Sequence, residues 1–190
     1  MLILASKSPR RQQLLKKIVD QFQVIPADID EELVRGITSE RAKETSKMKA
    51  YKIAAQYPKD TVLAVDTIVV FNHEIFGKPR DNVEAKDMLT RLSGQRHLVI
   101  SGYTIMENGR EINRSAVTEV FFNELSPATI DAYVASGSPL DKAGAYGIQD
   151  EEYQLVKKIV GSYDNVMGLP TEVLRKYLTA TGTLRTNFSQ

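Results

Sequence analysis

The chain has 190 residues, with 25 basic and 24 acidic side chains and no cysteine. This length suits one domain, which can bury enough apolar surface to fold without a metal or disulfide staple. The balanced charge argues against a general binder of nucleic acid or of acidic membranes, which would need a basic excess. The first apolar run is too short for a signal peptide, and nothing approaches the ~20 apolar residues of a membrane span. We therefore expect a cytoplasmic globular protein.

The first informative feature is a cluster of cations where a helix begins. Residues 2–5 are apolar and predict a strand, and Ser8, followed by a proline, predicts the N-cap of a helix. Lys7, Arg10 and Arg11 oppose the helix dipole there, by roughly 0.3–1 kcal/mol each. A bound anion would remove this repulsion, because helix N-termini bind phosphates. The sequence therefore predicts a phosphate site at this junction.

A strand, an acidic run and a long helix are expected next. Residues 22–27 predict the strand, and the acidic run covers residues 28–32. Thr38 or Ser39 is expected to cap a helix that ends near Tyr57, before a proline. A charge run of this kind is typical of a solvated loop. Because it follows a strand in a chain with an anion site, it also suits Mg²⁺, which prefers one or two carboxylates with substrate phosphates.

Asp66 interrupts the most apolar segment of the chain, residues 61–71, which predicts a buried strand. An unpaired buried carboxylate is costly, so Asp66 must lie at a strand end, bind a cation or be protonated. One interpretation is a strand-end aspartate that accepts bonds from backbone N–H groups. The other is a metal ligand or general base in a cleft.

Turn and cap signals delimit the later elements. Residues 72–74 predict a turn into a short hairpin strand, and Asp81 with Glu84 predicts the start of a helix to about Leu92. Asn108-Gly109 predicts a hairpin turn. The other expected elements are β segments over 97–106 and 110–122, a helix over 126–135, a strand over 155–160 and a helix over 170–178. This alternation predicts a mixed-sheet α/β protein.

Three further polar residues are weaker candidates. Lys78 lies in a tight loop between a glycine and a proline, where it is a candidate phosphate ligand. Lys49 lies on a lysine-rich helix, so by itself it is expected to be an exposed, solubilising residue. Gln149 follows a glycine-rich turn and has an amide that can bind a base edge. His73 and His97 lack ligand spacing to each other, and we assign them no catalytic role.

Six motifs together resemble the Maf family of nucleotide pyrophosphatases, once described as septum-formation inhibitors. They occur in the family's order from residue 2 to about residue 178, and the longest of them is highly specific. The motifs are Leu4-Ala5-Ser6-Lys7-Ser8-Pro9-Arg10-Arg11, Ala64-Val65-Asp66-Thr67, Gly77-Lys78-Pro79, Leu92-Ser93-Gly94, Asp141-Lys142-Ala143-Gly144-Ala145-Tyr146-Gly147-Ile148-Gln149 and Val166-Met167-Gly168-Leu169-Pro170.

The resemblance implies an elongated α/β fold related to the inosine triphosphate pyrophosphatases, with a mixed sheet and flanking helices in two lobes around a central cleft. Residues 1–178 would form this single domain, and residues 179–190 a polar C-terminal tail. The family hydrolyses nucleoside triphosphates to the monophosphate and pyrophosphate. It uses a divalent metal, for which we expect Mg²⁺ or Mn²⁺.

Motif position also implies roles for individual residues. Asp66 would be the general base, and Glu31 and Asp66 would bind the metal. A shift of one motif position would select Glu32 or Lys47 in place of Glu31 or Lys49. The residues implied to handle phosphate are Ser8, Arg10, Arg11, Lys49 and Lys78.

Arg10, Thr67 and Gln149 match the residues of the family branch that acts on dTTP and UTP. The resemblance therefore implies hydrolysis of these nucleotides, or of modified pyrimidine nucleotides, in nucleotide-pool house-cleaning. After Gln149 the family usually has a glycine-containing turn, whereas this chain has Asp150-Glu151-Glu152-Tyr153. The three added acidic groups would either weaken triphosphate binding or point into solvent.

A non-enzymatic, nucleotide-binding regulator of cell division is the alternative function. The family's older description and the acidic segment after Gln149 favour it. We expect no nucleic-acid or membrane partner. The long hairpin over residues 97–122 offers an edge for a homodimer.

Overall fold

The computed structural model describes residues 1–31, 34 and 38–180, the last two by their backbone alone. Seven strands of this part of the chain form one sheet, which confirms the predicted mixed-sheet α/β class. The strands are β1 (Leu2–Leu4), β2 (Gln23–Val24), β3 (Thr61–Phe71), β4 (Glu74–Phe76), β5 (Arg96–Glu107), β6 (Arg110–Phe122) and β7 (Val156–Val160). The α-helices are α1 (Pro9–Lys16), α2 (Arg41–Ala54), α3 (Asn82–Leu92), α4 (Pro127–Ala135), α5 (Tyr163–Met167) and α6 (Thr171–Ala180). None of the described helices is both long enough and apolar enough to cross a membrane.

The sheet has the order β2-β1-β3-β5-β6-β7, and β4 pairs with β3. Strand β1 is parallel to both of its neighbours, with Leu4 opposite Leu63 of β3. The β3–β4 and β6–β7 pairs are antiparallel. Because β1 ends at Leu4, the loop that follows it runs beside the part of β3 that contains Asp66, three residues after Leu63. The parallel register thus brings the predicted phosphate loop towards the predicted base.

Helix α1 begins as the sequence predicts. Ser8 has an extended backbone, and its Oγ accepts a hydrogen bond from the backbone N–H of Arg11 at 3.4 Å. Leu14 and Leu15 anchor the helix in the core, and its first turn contains no acidic residue. Arg10 and Arg11 therefore lie in the first turn of a helix that has no acidic residue there to balance their charge.

Strand β2 is shorter than predicted, two residues in place of the six expected over 22–27. One further hydrogen bond, from Ile25 N to Leu4 O at 3.1 Å, continues the pairing with β1. Pro26 then follows, and proline has no backbone N–H to donate to the ladder. The pairing of β2 with β1 therefore stops at Pro26, which has no backbone N–H to donate.

The predicted cap of α2 is wrong. Neither Thr38 nor Ser39 caps the helix; the N-cap is Glu40, which has helical backbone angles and no side-chain cap bond. A side-chain cap requires an extended backbone at the N-cap, which Glu40 lacks. The C-terminal end is close to the prediction, since the helix ends at Ala54 and Tyr57 lies in the following turn.

Helix α2 lies directly on strand β5 at Gly102. A Cβ atom built on Gly102 would lie 2.2 Å from the carbonyl carbon of Ala42 and 2.3 Å from the backbone nitrogen of Lys43. A buried bond between Ser46 Oγ and Thr104 Oγ1, at 2.8 Å, joins the same two elements. The missing side chain of Gly102 therefore fixes how closely α2 approaches the sheet.

Two compact units can be described separately. The first contains Met1–Asp66, Ser101–Ala116 and the segment that begins at Gly168. Its core includes a cluster built from β1, α2 and β3, formed by Ile3, Ala5, Ala50, Ile53, Val62 and Ala64.

The second unit contains Thr67–Ile100 and Val117–Met167. Its largest buried side chains include Phe76, Leu89 and Tyr133, and α3 packs against α4. The caps of these helices are as predicted: Asp81 accepts from Glu84 N at 2.8 Å, and Ser126 accepts from Thr129 N at 3.1 Å. No helix is predicted from the sequence at α5. Ser162 is nevertheless its capping residue, since Ser162 Oγ accepts a hydrogen bond from Asn165 N at 3.0 Å.

The contact at Gly102 leads to a stability prediction. Gly102→Ala should lower the free energy of unfolding by about 3 kcal/mol, because the added methyl group would overlap the backbone of α2. Urea denaturation with a single midpoint measures this change. Gly77→Ala is the matched control, since a Cβ on Gly77 has no neighbour within 4 Å. Equal midpoints for the two variants would contradict the proposed close contact.

Candidate active site

Lys49 contacts both predicted metal-binding carboxylates. Its Nζ lies 3.0 Å from Asp66 Oδ1 and 2.8 Å from Glu31 Oε1. Lys49 is buried, with 9% of its surface exposed, so the expectation of an exposed solubilising lysine is wrong. Lys47, by contrast, is paired with Glu111.

Helical spacing explains why this lysine is buried. Lys49 lies two turns after Ala42 and four residues before Ile53, so these three residues share one face of α2. Both apolar residues are buried, and Ala42 is the residue in contact with Gly102. The helix face that packs on the sheet therefore carries the lysine to the carboxylates.

Asp66 lies inside strand β3, which continues to Phe71, so the strand-end interpretation is wrong. Its side chain is 14% exposed and is paired with Lys49. Burial raises the pKa of Asp66 above its ordinary value, while the charges of Lys49 and Arg11 act in the opposite direction. A carboxyl group whose pKa is raised on folding opposes folding when ionised. This unfavourable contribution is absent below the unfolded pKa and complete above the folded pKa.

Glu31 is held in place through its backbone. Its carbonyl oxygen accepts a bond from Arg41 Nη2 at 3.2 Å, while its side chain is 57% exposed. Glu31 thus reaches Lys49 from the solvent side, whereas Asp66 reaches it from the sheet. The alternative metal ligand, Glu32, lies outside the described residues.

Arg11 connects the phosphate loop to the C-terminal segment of the same unit. Its Nε donates to the carbonyl of Gly168 at 2.8 Å, and its Nη1 donates to Ser6 Oγ at 3.3 Å. Burial lowers the pKa of Arg11; Asp66 raises it and Arg10 lowers it further. Arg11 of the opening loop and Asp66 therefore interact electrostatically.

The sequence does not predict two groups that hold Arg11 in place. The carbonyl of Gly168 orients Arg11, and the hydroxyl of Ser6 accepts bonds from both Arg11 Nη1 and Ser8 N. Both residues belong to the six motifs described above, but the sequence predicts no role for either of them. A backbone carbonyl has no sequence signature of its own, so only the fold identifies it as a partner.

The carboxylate pair suits a hard divalent cation. Glu31 and Asp66 both contact one ammonium group, so a single cation can lie within reach of both. Within the described residues, no group of three or more His, Cys, Asp or Glu side chains could hold a metal ion. Mg²⁺ does not require such a group, since water and substrate phosphates complete its shell. The oxygen donors present therefore fit Mg²⁺ or Mn²⁺.

Three predicted site residues, Thr67, Lys78 and Gln149, belong to the second unit. Lys78 is exposed in the loop after β4, and this loop is attached to the motif at 141–149 by a bond from Gly144 N to Gly77 O, at 3.1 Å. Thr67 and Gln149 are partly buried.

The 141–149 motif is seated in the core of the second unit. A Cβ on Gly144 would lie 2.9 Å from a methyl group of Val69, and its φ of 72° favours glycine. Tyr146 is buried and its hydroxyl lies 2.7 Å from His97 Nε2. Burial lowers the pKa of His97 to about 4, so this histidine is neutral at physiological pH. His97 thus supports the loop through its contact with Tyr146.

The acidic segment after Gln149 divides into two parts. Glu151 and Glu152 are exposed. Asp150 is partly buried, and its Oδ2 accepts hydrogen bonds from Tyr133 and Ser138 at 2.6 Å each. Of the two alternatives for the acidic groups, the one in which they point into solvent is therefore wrong for Asp150, because Asp150 has two hydroxyl partners inside the unit.

Comparison with known proteins first defines the fold. The Ham1 protein of Staphylococcus aureus has the same α/β fold, with a TM-score of 0.57 over 95% of this chain and 98% of that one, at 14% identity. This likeness shows that the two proteins share a fold. The family model described as "Maf-like protein" matches residues 1–181, and the chain belongs to that family.

Relatives with assigned activities cover almost the whole chain. A protein of Carboxydothermus hydrogenoformans is 45% identical over 94% of this chain and 97% of its own length. One from Thermococcus gammatolerans is 44% identical over 93% of this chain and 94% of its own length. Both are named dTTP/UTP pyrophosphatase. The resemblance to the Maf family is confirmed.

The contacts of Asp66 lead to a titration prediction. In metal-free protein, the pKa of Asp66 should lie above the ordinary aspartate value, and Lys49→Met should raise it further by removing a nearby positive charge. Carbon-13 NMR of the Asp66 carboxyl measures both values. Lys47→Met is the control, because Lys47 is paired with Glu111. An Asp66 pKa that Lys49→Met leaves unchanged would contradict the ion pair.

Proposed function

We propose that this protein is a nucleoside triphosphate pyrophosphatase that hydrolyses dTTP and UTP to the monophosphate and pyrophosphate. The observation that carries the proposal is the grouping of Asp66, Lys49 and Glu31 in one unit. The names of the relatives support the same reaction. They also support the expectation that the protein is a hydrolase.

The cations would bind and orient the triphosphate. Arg10 and Arg11 lie in the first turn of α1, where backbone N–H groups and the helix dipole also favour an anion. Arginine can bind phosphate oxygens in a bidentate manner. With Ser8 at the helix start and Lys49 beside Asp66, the first unit supplies four of the five residues predicted to handle phosphate.

Asp66 would accept a proton from the attacking water. Its pKa is raised by burial, and a carboxylate with a raised pKa is a stronger base at neutral pH. Lys49 and Arg11 limit this rise and so keep the carboxylate available in its ionised form. Phosphoryl transfer requires positioning and charge neutralisation more than covalent chemistry, which suits a site built from cations and one buried base.

Glu31 and Asp66 would hold the divalent metal. When bound, Mg²⁺ or Mn²⁺ supplies charge neutralisation for the triphosphate and the leaving pyrophosphate. Lys49, which bridges the two carboxylates in this structure, would then turn towards the phosphates. The metal requirement is a proposal based on the donor set.

The second unit also contains residues with proposed substrate roles. Lys78 is exposed and would bind phosphate. Gln149 and Thr67 would select the pyrimidine base, since a mismatched polar group left without a partner costs about 1–3 kcal/mol. A modified pyrimidine nucleotide would satisfy the same contacts. Nucleotide-pool house-cleaning is the cellular role we propose, and a homodimer and a cytoplasmic location remain predictions.

The alternative of a non-enzymatic regulator has no support. The relatives with assigned activities are named as enzymes. The acidic segment that favoured this alternative includes Asp150, whose carboxylate is engaged inside the unit. Pyrophosphate release from dTTP in the presence of Mg²⁺ tests the enzymatic proposal directly.

Asp66→Asn tests the proposed base. The change should lower kcat for dTTP by about 10²–10⁴-fold, because an amide cannot accept the proton, while the nucleotide still binds. Pyrophosphate release measures turnover and isothermal titration measures binding. Asp131→Asn, which alters an exposed carboxylate paired with Lys86, should behave as wild type. Normal turnover in Asp66→Asn would remove Asp66 from this role.

Gln149→Ala tests base selection. The ratio of dTTP to dCTP turnover should fall about tenfold, because the hydrogen bonds that distinguish the two bases are lost. Steady-state rates with both nucleotides give this ratio. Gln95→Ala, at an exposed position, is the control. If both variants kept the wild-type ratio, Gln149 would have no part in specificity.

A further inference from the structure

Asp150 is the acceptor for two hydroxyl groups from different parts of the second unit. Tyr133 in α4 and Ser138 in the turn after α4 each donate to its Oδ2 at 2.6 Å. Such short O–H···O distances are typical of hydrogen bonds to an ionised acceptor, which are about twice as strong as neutral ones. The residue directly after Gln149 is thus tied to α4.

Tyr133 also contacts Gly147, which lies on the other side of Gln149 in the chain. Its hydroxyl accepts a hydrogen bond from the backbone N–H of Gly147 at 2.9 Å while it donates to Asp150. Tyr133 is fully buried, so its ring has no freedom to follow a moving loop. Gly147 and Asp150 are also joined directly, by a bond from Asp150 N to Gly147 O at 3.1 Å. The Tyr133 hydroxyl therefore binds the backbone of Gly147 on one side of Gln149 and the side chain of Asp150 on the other.

Ser138 is also bonded to a buried lysine. The Nζ of Lys142 is paired with Asp141 Oδ1 at 2.8 Å, and it donates to the carbonyl oxygen of Ser138 at 2.7 Å and to Ser138 Oγ at 3.0 Å. The chain of bonds therefore runs from the ammonium of Lys142 through Ser138 to Asp150. This arrangement connects the start of the loop, near residue 138, to its end at residue 150.

The side chain of Gln149 lies close to this loop backbone. A Cβ built on Gly147 would lie 3.0 Å from Gln149 Oε1 and 2.8 Å from Lys142 Cε. The amide therefore lies where only a glycine leaves room for it. A shift of Gly147 would therefore change the space in which the amide lies.

We propose that Asp150 is a positioning residue for Gln149, and that it sets base selectivity by holding Gly147 through the hydroxyl of Tyr133. This inference rests on the proposed function, in which Gln149 binds the base. The carboxylate of Asp150 thus supports recognition of the base, because it accepts hydrogen bonds inside the second unit.

The test combines an exchange measurement without substrate and a specificity measurement with substrate. In Asp150→Asn and in Tyr133→Phe, hydrogen exchange at the Gly147 amide should accelerate about tenfold, because the first change weakens the hydrogen bond that holds the Tyr133 hydroxyl and the second removes that hydroxyl. The KM for dTTP should rise roughly fivefold to tenfold and the preference for dTTP over dCTP should fall, with kcat changed less than twofold. The double variant should show less than the sum of the two effects, since both residues act through one chain of bonds.

Glu152→Gln is the matched control, because it removes an exposed acidic charge two residues away. It should leave Gly147 exchange, KM and base preference at their wild-type values, so general loss of negative charge is not the cause. Thermal unfolding of every variant verifies that the second unit is folded. Wild-type exchange at Gly147 in Asp150→Asn, or faster exchange with an unchanged base preference, would overturn the inference. A wild-type protein that releases no pyrophosphate would overturn the proposed function instead, and Gly147 exchange would still decide whether Asp150 holds the loop.

Discussion

The site depends on one buried ion pair, between Lys49 of α2 and Asp66 of β3. A carboxylate inside an apolar strand is tolerated because an ammonium group lies 3.0 Å away, and that group is present because α2 approaches the sheet at Gly102. Removal of Lys49 would take away the ammonium group that is paired with Asp66, and a largely buried carboxylate without such a partner is costly. The packing of one helix on one strand therefore creates the chemistry of the first unit.

This arrangement costs stability and supplies reactivity. Burial raises the pKa of Asp66, so ionised Asp66 opposes folding at neutral pH, and it also makes the carboxylate a better base. Arg11 shows a similar conflict, because burial lowers its pKa while Asp66 raises it. A bound triphosphate and cation would add further opposite charges beside these two groups. Functional sites often retain such unfavourable groups, and the remaining core must provide the stability.

In the second unit, contacts between distant residues hold the loop around Gln149 in one conformation. Gly144 packs against Val69, Tyr146 is bonded to His97, and Asp150 binds two hydroxyl groups. These contacts come from three distant parts of the chain, and together they fix the segment that carries Gln149. Recognition of a base by one amide requires such order, because a loosely held side chain loses hydrogen-bond strength and selectivity.

The sequence by itself determined the elements whose signals are local: the Ser8 and Asp81 caps, the turn at Asn108-Gly109 and the apolar run of β3. It failed at the start of α2, where Glu40 has helical backbone angles, and at α5, a helix of five residues. The tertiary structure alone decided that Lys49 is the lysine of α2 that faces Asp66, that Gly168 holds Arg11 and that Asp150 points inward. Caps and turns depend on a few neighbouring residues, whereas the partner of a buried charge depends on which helix face meets the sheet, and that is set by contacts between residues far apart in the chain.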